Sequence, residues 1–473
     1  MAAATVAGNR KAAVLGGGVI GGGWVARFLL MGWDVSVFDP DPEAPRKIAA
    51  VLDNAKRSLP GLYEHRLPDQ GTLSIAATLE EAVREAEWIA ECVPERLDIK
   101  QKVYAQIQGA CDTKAIIASS TSGFKPSELQ AGASRPEQIL VAHPFNPVYL
   151  IPLVELVGVE QTVLRAREVL EGLGMFPLHV RKEIDAHIAD RFLEAVWREG
   201  LWLIKDGIAT TQEIDDAIRY GFGLRWAQMG LFETYRVAGG EAGMAHFMAQ
   251  FGPALKWPWT KLMDVPDLTD ELVDTIASQS DAQSGHHSIR ELERIRDDNL
   301  VSMMRGLKIQ NWGAGELLNN VDKTLSKLSR RDTAGLIKTI ERVIPIDWTD
   351  YNGHMNDSRY AQVFSDAADA VMQIIGADAA YIDAGQSYFT VDTRVQYLDE
   401  CHAGDEIIVS SKVVNGEGKK LELTHQMHHL DGRLLSTAEQ LLIHVDLTTR
   451  KSSLPSEVVA SKLAAIANSH QQL

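Results

Sequence analysis

Apolar residues recur in three successive rhythms along this chain. Over the first 187 residues they gather in short continuous runs, at 11–15, 34–38, 86–93, 115–120, 138–142 and 153–157. Helical three-and-four spacing appears between them, as at 99–107. Short buried runs alternating with amphipathic stretches predict parallel strands crossed by helices, a doubly wound α/β sheet that binds ligands at its strand carboxyl ends. From 188 to about 325 the period is helical throughout. RFLEAVWREGLWLIKDG opens a long amphipathic helix, and TTQEIDDAIRYGFGLRWA supplies a second with a capping signal at its start. After 337 the pattern turns to alternation. A strand at 337–347 leads into one long helix, then strands at 387–398, 405–414, 420–428 and 433–445. NGEG (415–418) and LDGR (430–433) carry the Asn-Gly and Asp-Gly signals of hairpins. The polar stretch 326–336 reads as a linker. The expected organisation is an α/β domain over 1–187, an all-helical domain over 188–325, and an α+β domain over 337–473.

Composition narrows the classes. A chain of 473 residues with 45% apolar and 23% charged residues suits a multidomain globular protein. No run of about 18 apolar residues predicts a membrane span, and the N-terminus lacks a secretory hydrophobic region. A net charge of −17 without a dense basic stripe argues against nucleic acid. Three scattered cysteines, Cys92, Cys111 and Cys401, give neither a disulfide framework nor a zinc site, so a reducing cytoplasm and no metal are expected.

Between the first two runs six of the eight residues 16–23 are glycine. Gly16, Gly18 and Gly21 have the G-x-G-x-x-G spacing: a tight turn, a close approach to pyrophosphate, and close helix–strand packing. The helix that follows offers free N–H groups to phosphate. The second strand ends in Asp39, 18 residues beyond Gly21. A carboxylate there bonds ribose hydroxyls and repels a 2′-phosphate, so a Rossmann domain using NAD rather than NADP is expected. Polar groups follow at later strand ends: SSTSG (119–123), HPFNP (143–147) and VEL (154–156). Oxidising a secondary alcohol needs a base for the hydroxyl proton, and an imidazole steadied by a carboxylate suits it.

This order of motifs, with Glu155 twelve residues after His143, resembles the 3-hydroxyacyl-CoA dehydrogenase superfamily. The resemblance implies a 6-phosphogluconate-dehydrogenase-like helical domain behind the Rossmann domain. It also implies His143 as base, Glu155 as its partner, Ser122 as ligand of the substrate oxygen, and Asn146 at the substrate. The family carries an Asn-Arg pair at the start of the first long helix, where this chain has Asp190-Arg191. Asp190 is either a helix-start carboxylate favoured by the dipole or a charge that selects a cationic substrate. Six of the ten tryptophans fall in the helical region, at 197, 202, 226, 257, 259 and 312. They serve either core and subunit contacts or an aromatic box for a quaternary ammonium group. The stretch beginning GFGLRWAQMGLFETYR resembles the L-carnitine 3-dehydrogenases, a branch of the same superfamily, which implies Phe145, Phe192 and Trp226 around the cation.

The motif D-x-N-G-H-x-N at 350–356 resembles hotdog-fold acyl-CoA thioesterases. That resemblance implies Asp350 as base or nucleophile, Asn352 and His354 in support, and Glu400 as a second acid. The expectation is therefore an NAD-dependent oxidation of L-carnitine fused to hydrolysis of a short acyl-CoA, betainyl-CoA by pathway logic. The alternative is a 3-hydroxyacyl-CoA or L-gulonate dehydrogenase carrying an inactive acyl-CoA-binding or dimerisation module. Both kinds of domain suggest a homodimer.

Overall fold

The computed structural model describes residues 10–238, 243–251, 259–261, 267, 269–325 and 335–471. They fall into two compact units, one of 1–56 with 69–319 and one of 57–68 with 320–473.

In the first unit the continuous apolar runs become strands because both faces are covered. Ala12, Ala13, Val14 and Leu15 of β1 (Lys11–Leu15) are all buried. The other strands are β2 (Asp34–Phe38), β3 (Leu73–Ile75), β4 (Trp88–Glu91), β5 (Ile116–Ser119), β6 (Ile139–Pro144), β7 (Leu153–Val157) and β8 (Phe176–His179). Their order in the sheet is β3-β2-β1-β4-β5-β6-β7-β8. Strand order reverses between β1 and β4, so the crevice at their carboxyl ends is the expected ligand position. Two strands, β3 and β8, lie outside the runs read from the pattern. One pairing also departs from the all-parallel expectation: β6 and β7 run antiparallel, with His143 directly opposite Glu155. Only residues 145–152 join these strands, too few for the crossover that a parallel pair needs.

From 188 the chain is helical: Ala189–Lys205, Thr211–Ala217, Gly223–Ala238, Gly243–Phe251, Asp270–Ser284, Ile289–Leu307 and Ala314–Leu325. Two starts are fixed by reciprocal capping, Thr210 with Glu213 and Ser288 with Glu291. Phe192, Trp197 and Phe232 stay more than half exposed. Among the described residues no helix is long and apolar enough to cross a membrane. Trp257 and most of the predicted linker (326–334) lie outside the described residues.

In the second unit alternation becomes an antiparallel sheet of order β10-β13-β12-β11-β9. Its strands are β9 (Ile337–Val343), β10 (Gln386–Tyr397), β11 (Glu406–Asn415), β12 (Lys420–His429) and β13 (Leu434–Asp446), with the short β14 (Lys451–Ser452) beside β13. Helix Asp357–Ile375 packs Val363, Phe364 and Ala367 against Ile407, Val409, Met427 and Ala438 of the sheet. That is the hotdog arrangement. A closing helix, Glu457–Gln471, goes beyond the elements read from the pattern; its Leu463 packs in a second core cluster with Val371 and Ile375 of the long helix and Leu421 and Leu442 of the sheet.

His425 sits inside this sheet, nearly fully buried, with Nδ1 2.6 Å from the Ser411 hydroxyl and Nε2 3.1 Å from Gln440 Oε1. Burial pushes its pKa down to about 4, against a raising bond to Gln440. The folded chain keeps His425 neutral while the unfolded chain protonates it near 6.5, so stability is full above 6.5 and declines as pH falls toward 4. The loss attributable to His425 is about 3 kcal/mol at the acid end. Denaturant unfolding of the second unit at pH 7.5 and pH 5 should therefore differ more in the parent than in His425→Gln. Equal pH dependence in the two proteins would contradict this.

Candidate active sites

The glycine loop forms where β1 meets helix Val19–Leu30. Gly16 has φ +98°, and a Cβ there would lie 2.5 Å from the Cys92 carbonyl oxygen. A Cβ on Gly21 would come within 1.8 Å of the Gly16 carbonyl oxygen. Gly18 is the opposite case: it is the exposed N-cap residue, and a Cβ there would meet no protein atom within 4 Å. The first and third glycines are thus demanded by the fold, and the second faces open space where a phosphate can approach backbone N–H groups. Asp39 closes the turn. Its carboxylate accepts the N–H of Gly17 at 2.5 Å and that of Asp41 at 2.7 Å. A cleft of about 540 Å³ runs between Gly16–Gly18, Asp39, Leu79 and 92–94, dimensions suited to one half of a dinucleotide. These residues fit NAD, and the chain carries the fold that binds it.

The candidate base, His143, lies at the carboxyl end of β6 in the same sheet. His143 Nδ1 is 3.1 Å from Glu155 Oε2, and both side chains are buried. The other Glu155 oxygen accepts the N–H groups of Ile188 (2.8 Å) and Ala189 (3.0 Å), at the start of helix Ala189–Lys205. Burial opposes charge on Glu155, but the bonds from His143 and from those two N–H groups outweigh it and hold its pKa below the ordinary value. Asp190 Oδ2 lies 3.6 Å from the remaining ring nitrogen, Nε2. The His143 ring also meets Phe145 edge-on at 4.9 Å and lies 5.6 Å from the fully buried His187 ring.

Other candidates are less gathered. Ser122 is exposed; its N–H donates to Glu95, and no hydrogen bond joins it to His143. Asn146 is exposed and shares a cleft of about 280 Å³ with Gly18 and Tyr149. The Trp226 ring lies against Phe222 with centres 4.6 Å apart and planes tilted by 55°, and Phe192 projects from the helix of Asp190. Among the described residues, no ring contact links Phe145, Phe192 and Trp226.

In the second unit Asp350 heads a turn. Its carbonyl accepts the N–H of Gly353 at 3.0 Å, and its carboxylate that of Asn352 at 2.8 Å. The cap of the following helix is Asn356, which accepts from Ser358 N–H, so Asp350 is left out of capping. His354 lies 3.4 Å from Glu400, whose side chain is 58% exposed. No hydrogen bond or ion pair joins Asp350 to Glu400 among the described residues. His402, which the motif did not flag, stands edge-on to His354 at 4.8 Å through a backbone bridge. Donor atoms of His354, Glu400 and His402 lie within 4.8 Å of one another, the only such group among the described residues that could share a metal.

Three known families match most of the chain: the 3-hydroxyacyl-CoA dehydrogenase NAD-binding domain at 11–184, its C-terminal domain at 187–274, and the thioesterase-like superfamily at 344–463. A protein of Ruegeria pomeroyi named L-carnitine dehydrogenase/betainyl-CoA thioesterase is 65% identical over 471 residues, covering 98% of this chain and 96% of its own. The chain belongs to that family, with 3-hydroxyacyl-CoA dehydrogenase domains followed by a thioesterase-like domain. A Mesorhizobium japonicum protein named L-carnitine dehydrogenase is 58% identical over 68% of this chain and 92% of its own length. Among solved structures, an NAD+-dependent dismutase, 5-formyl-3-hydroxy-2-methylpyridine 4-carboxylic acid 5-dehydrogenase, is 28% identical with a TM-score of 0.55. It covers 64% of this chain and 99% of that one.

One buried device of this family member escaped sequence reasoning. Glu91, at the end of β4, accepts from Lys100 (2.8 Å), Tyr104 (2.5 Å), Ser119 (2.6 Å) and the N–H of Val93 (2.9 Å). It pins the chain just before 92–94, the wall of the cofactor cleft. Its signal, E-x-x-x-x-x-x-x-x-K-x-x-x-Y across a strand and a helix, is too diffuse to single out. Asp39 makes the sharper prediction: Asp39→Ser removes the charge beside the ribose and should raise kcat/KM with NADP relative to NAD by about tenfold or more. An unchanged ratio would place Asp39 away from the ribose.

Proposed function

We propose that the first unit oxidises L-carnitine to 3-dehydrocarnitine and that the second hydrolyses betainyl-CoA to glycine betaine and CoA. The observation that carries the first activity is the His143–Glu155 pair, which leaves one imidazole nitrogen, Nε2, for the substrate. NAD supplies the hydride acceptor when bound. His143 takes the hydroxyl proton at Nε2, and Glu155 holds the ring's tautomer and stabilises the imidazolium. Phe145, against the base, offers an aromatic face to the trimethylammonium group, worth ~0.5–2 kcal/mol per good contact. Phe192 and Trp226 are further candidates for that group, with Ser122 and Asn146 as hydrogen-bonding groups for substrate oxygens.

In the second unit Asp350 activates water, or attacks directly, at the thioester carbonyl. Asn352 and His354 support it, and Glu400 acts through His354. The exposure of Glu400 favours a second reading of this unit, as an acyl-CoA-binding or dimerisation module. Names of the relatives support the catalytic reading, and the shorter Mesorhizobium protein supports two separable activities. The functional division we infer is an NAD-binding domain over 1–187, a helical domain over 188–325 and a hotdog domain over 337–473. Exposed Phe192, Trp197 and Phe232 support pairing of two copies, in a protein that works in the cytoplasm.

A substrate panel with NAD tests the assignment: L-carnitine should be turned over faster than 3-hydroxybutyrate, 3-hydroxybutyryl-CoA or L-gulonate. Faster turnover of any of the others overturns it. Thiol release from betainyl-CoA tests the second site. Asp350→Ala should abolish it and leave carnitine oxidation in place; no release even by the parent would make the unit a binding module.

A further inference from the structure

Asp190 stands in the first turn of its helix, where the dipole favours a carboxylate, but neither an ion pair with lysine or arginine nor a capping bond holds it there. Its side chain is only 20% exposed, yet no lysine or arginine pairs with it among the described residues; its one ion-pair neighbour is His143. Burying a carboxylate without a cation is costly, and burial does push its pKa up. Capping does not account for it either. The first N–H groups of its helix, Ile188 and Ala189, are taken by Glu155, and the helix start has no side-chain cap bond. A charge left in this way fits a site whose counterion arrives with the ligand.

Geometry says where that ligand charge must lie. Glu155 occupies Nδ1 of His143, so a hydroxyl giving up its proton must sit at Nε2, at a hydrogen-bond distance of about 2.8 Å. Asp190 Oδ2 is already 3.6 Å from Nε2. In a hydroxy acid whose quaternary nitrogen is two carbons from the hydroxyl oxygen, that nitrogen then falls roughly 4–6 Å from the carboxylate. Resting on the carnitine reading, we propose that Asp190 is the specificity residue of the first unit: it selects substrates with a fixed positive charge one methylene away from the carbinol carbon. A neutral substrate leaves the carboxylate desolvated and unpaired, and an anionic one is repelled. Asp190 takes no proton from the substrate in this account. It acts by binding, and Phe145, whose ring meets the imidazole edge-on, can cover the same cation.

The test compares L-carnitine with 3-hydroxy-5,5-dimethylhexanoate, in which carbon replaces the quaternary nitrogen without changing shape. The parent should favour carnitine. In Asp190→Asn the carnitine-to-isostere ratio of kcat/KM should fall on the order of 10- to 100-fold, mostly through KM for carnitine. Asp190→Glu should keep the preference for the cation. Binding of 4-(trimethylammonio)butanoate, which has the charge but no hydroxyl, to the NAD-loaded enzyme should weaken in the asparagine variant. That readout needs no chemistry, so a damaged base cannot mimic it. A parent without preference for carnitine overturns both readings. A parent that prefers it, with an asparagine variant whose ratio and cation binding stay within twofold, overturns the role of Asp190 alone.

Discussion

The antiparallel pairing of β6 with β7 fixes most of what matters in the first unit. It places His143 opposite Glu155 and thereby turns a twelve-residue separation in sequence into a 3.1 Å contact. Glu155 is fully buried, and a buried carboxylate is costly to keep charged unless hydrogen-bond donors meet its oxygens. It finds one in the imidazole and two in the N–H groups that open the first long helix. One side chain therefore joins the catalytic sheet edge to the helical region and sets the orientation of the ring. Asp190 is the next residue and is placed for the same reason: the helix start that Glu155 anchors brings it to Nε2 of His143.

Local chemistry explains which parts could be read from sequence. The glycine loop was legible because its backbone geometry tolerates so few residues: two of its glycines leave no room for a Cβ, and the other leaves room for a ligand. The hairpins at 415–418 and 430–433 were legible for a related reason, since Asn-Gly and Asp-Gly fit turns closed to most other pairs. The strands they join begin and end within a residue or so of the alternation. The sense of β7 was not legible, because a buried strand is apolar whichever way it runs. β3, with three residues mostly in contact with solvent, carries too little pattern to stand out. The resemblance to a dehydrogenase family named His143 and Glu155; only the structure distinguishes the two nitrogens of the base.

The second unit teaches the same lesson with a different balance. Its sheet and helix follow from alternation and amphipathicity, yet its chemistry depends on contacts between distant segments. His402 is invisible to a motif that ends at residue 356, and it meets His354 only because the chain returns through Glu400 and Cys401. Asn356, and not Asp350, caps the helix that follows the motif.

The claim that binds these features is that Glu155 makes His143 a competent base. Single-turnover formation of NADH from L-carnitine by Glu155→Gln measures it most directly, because an amide keeps the shape and one acceptor for the helix N–H groups but loses the charge that steadies the imidazolium. The account predicts a rate lower by on the order of 10²-fold or more, with NAD affinity unchanged. A rate within a factor of two of the parent would contradict it.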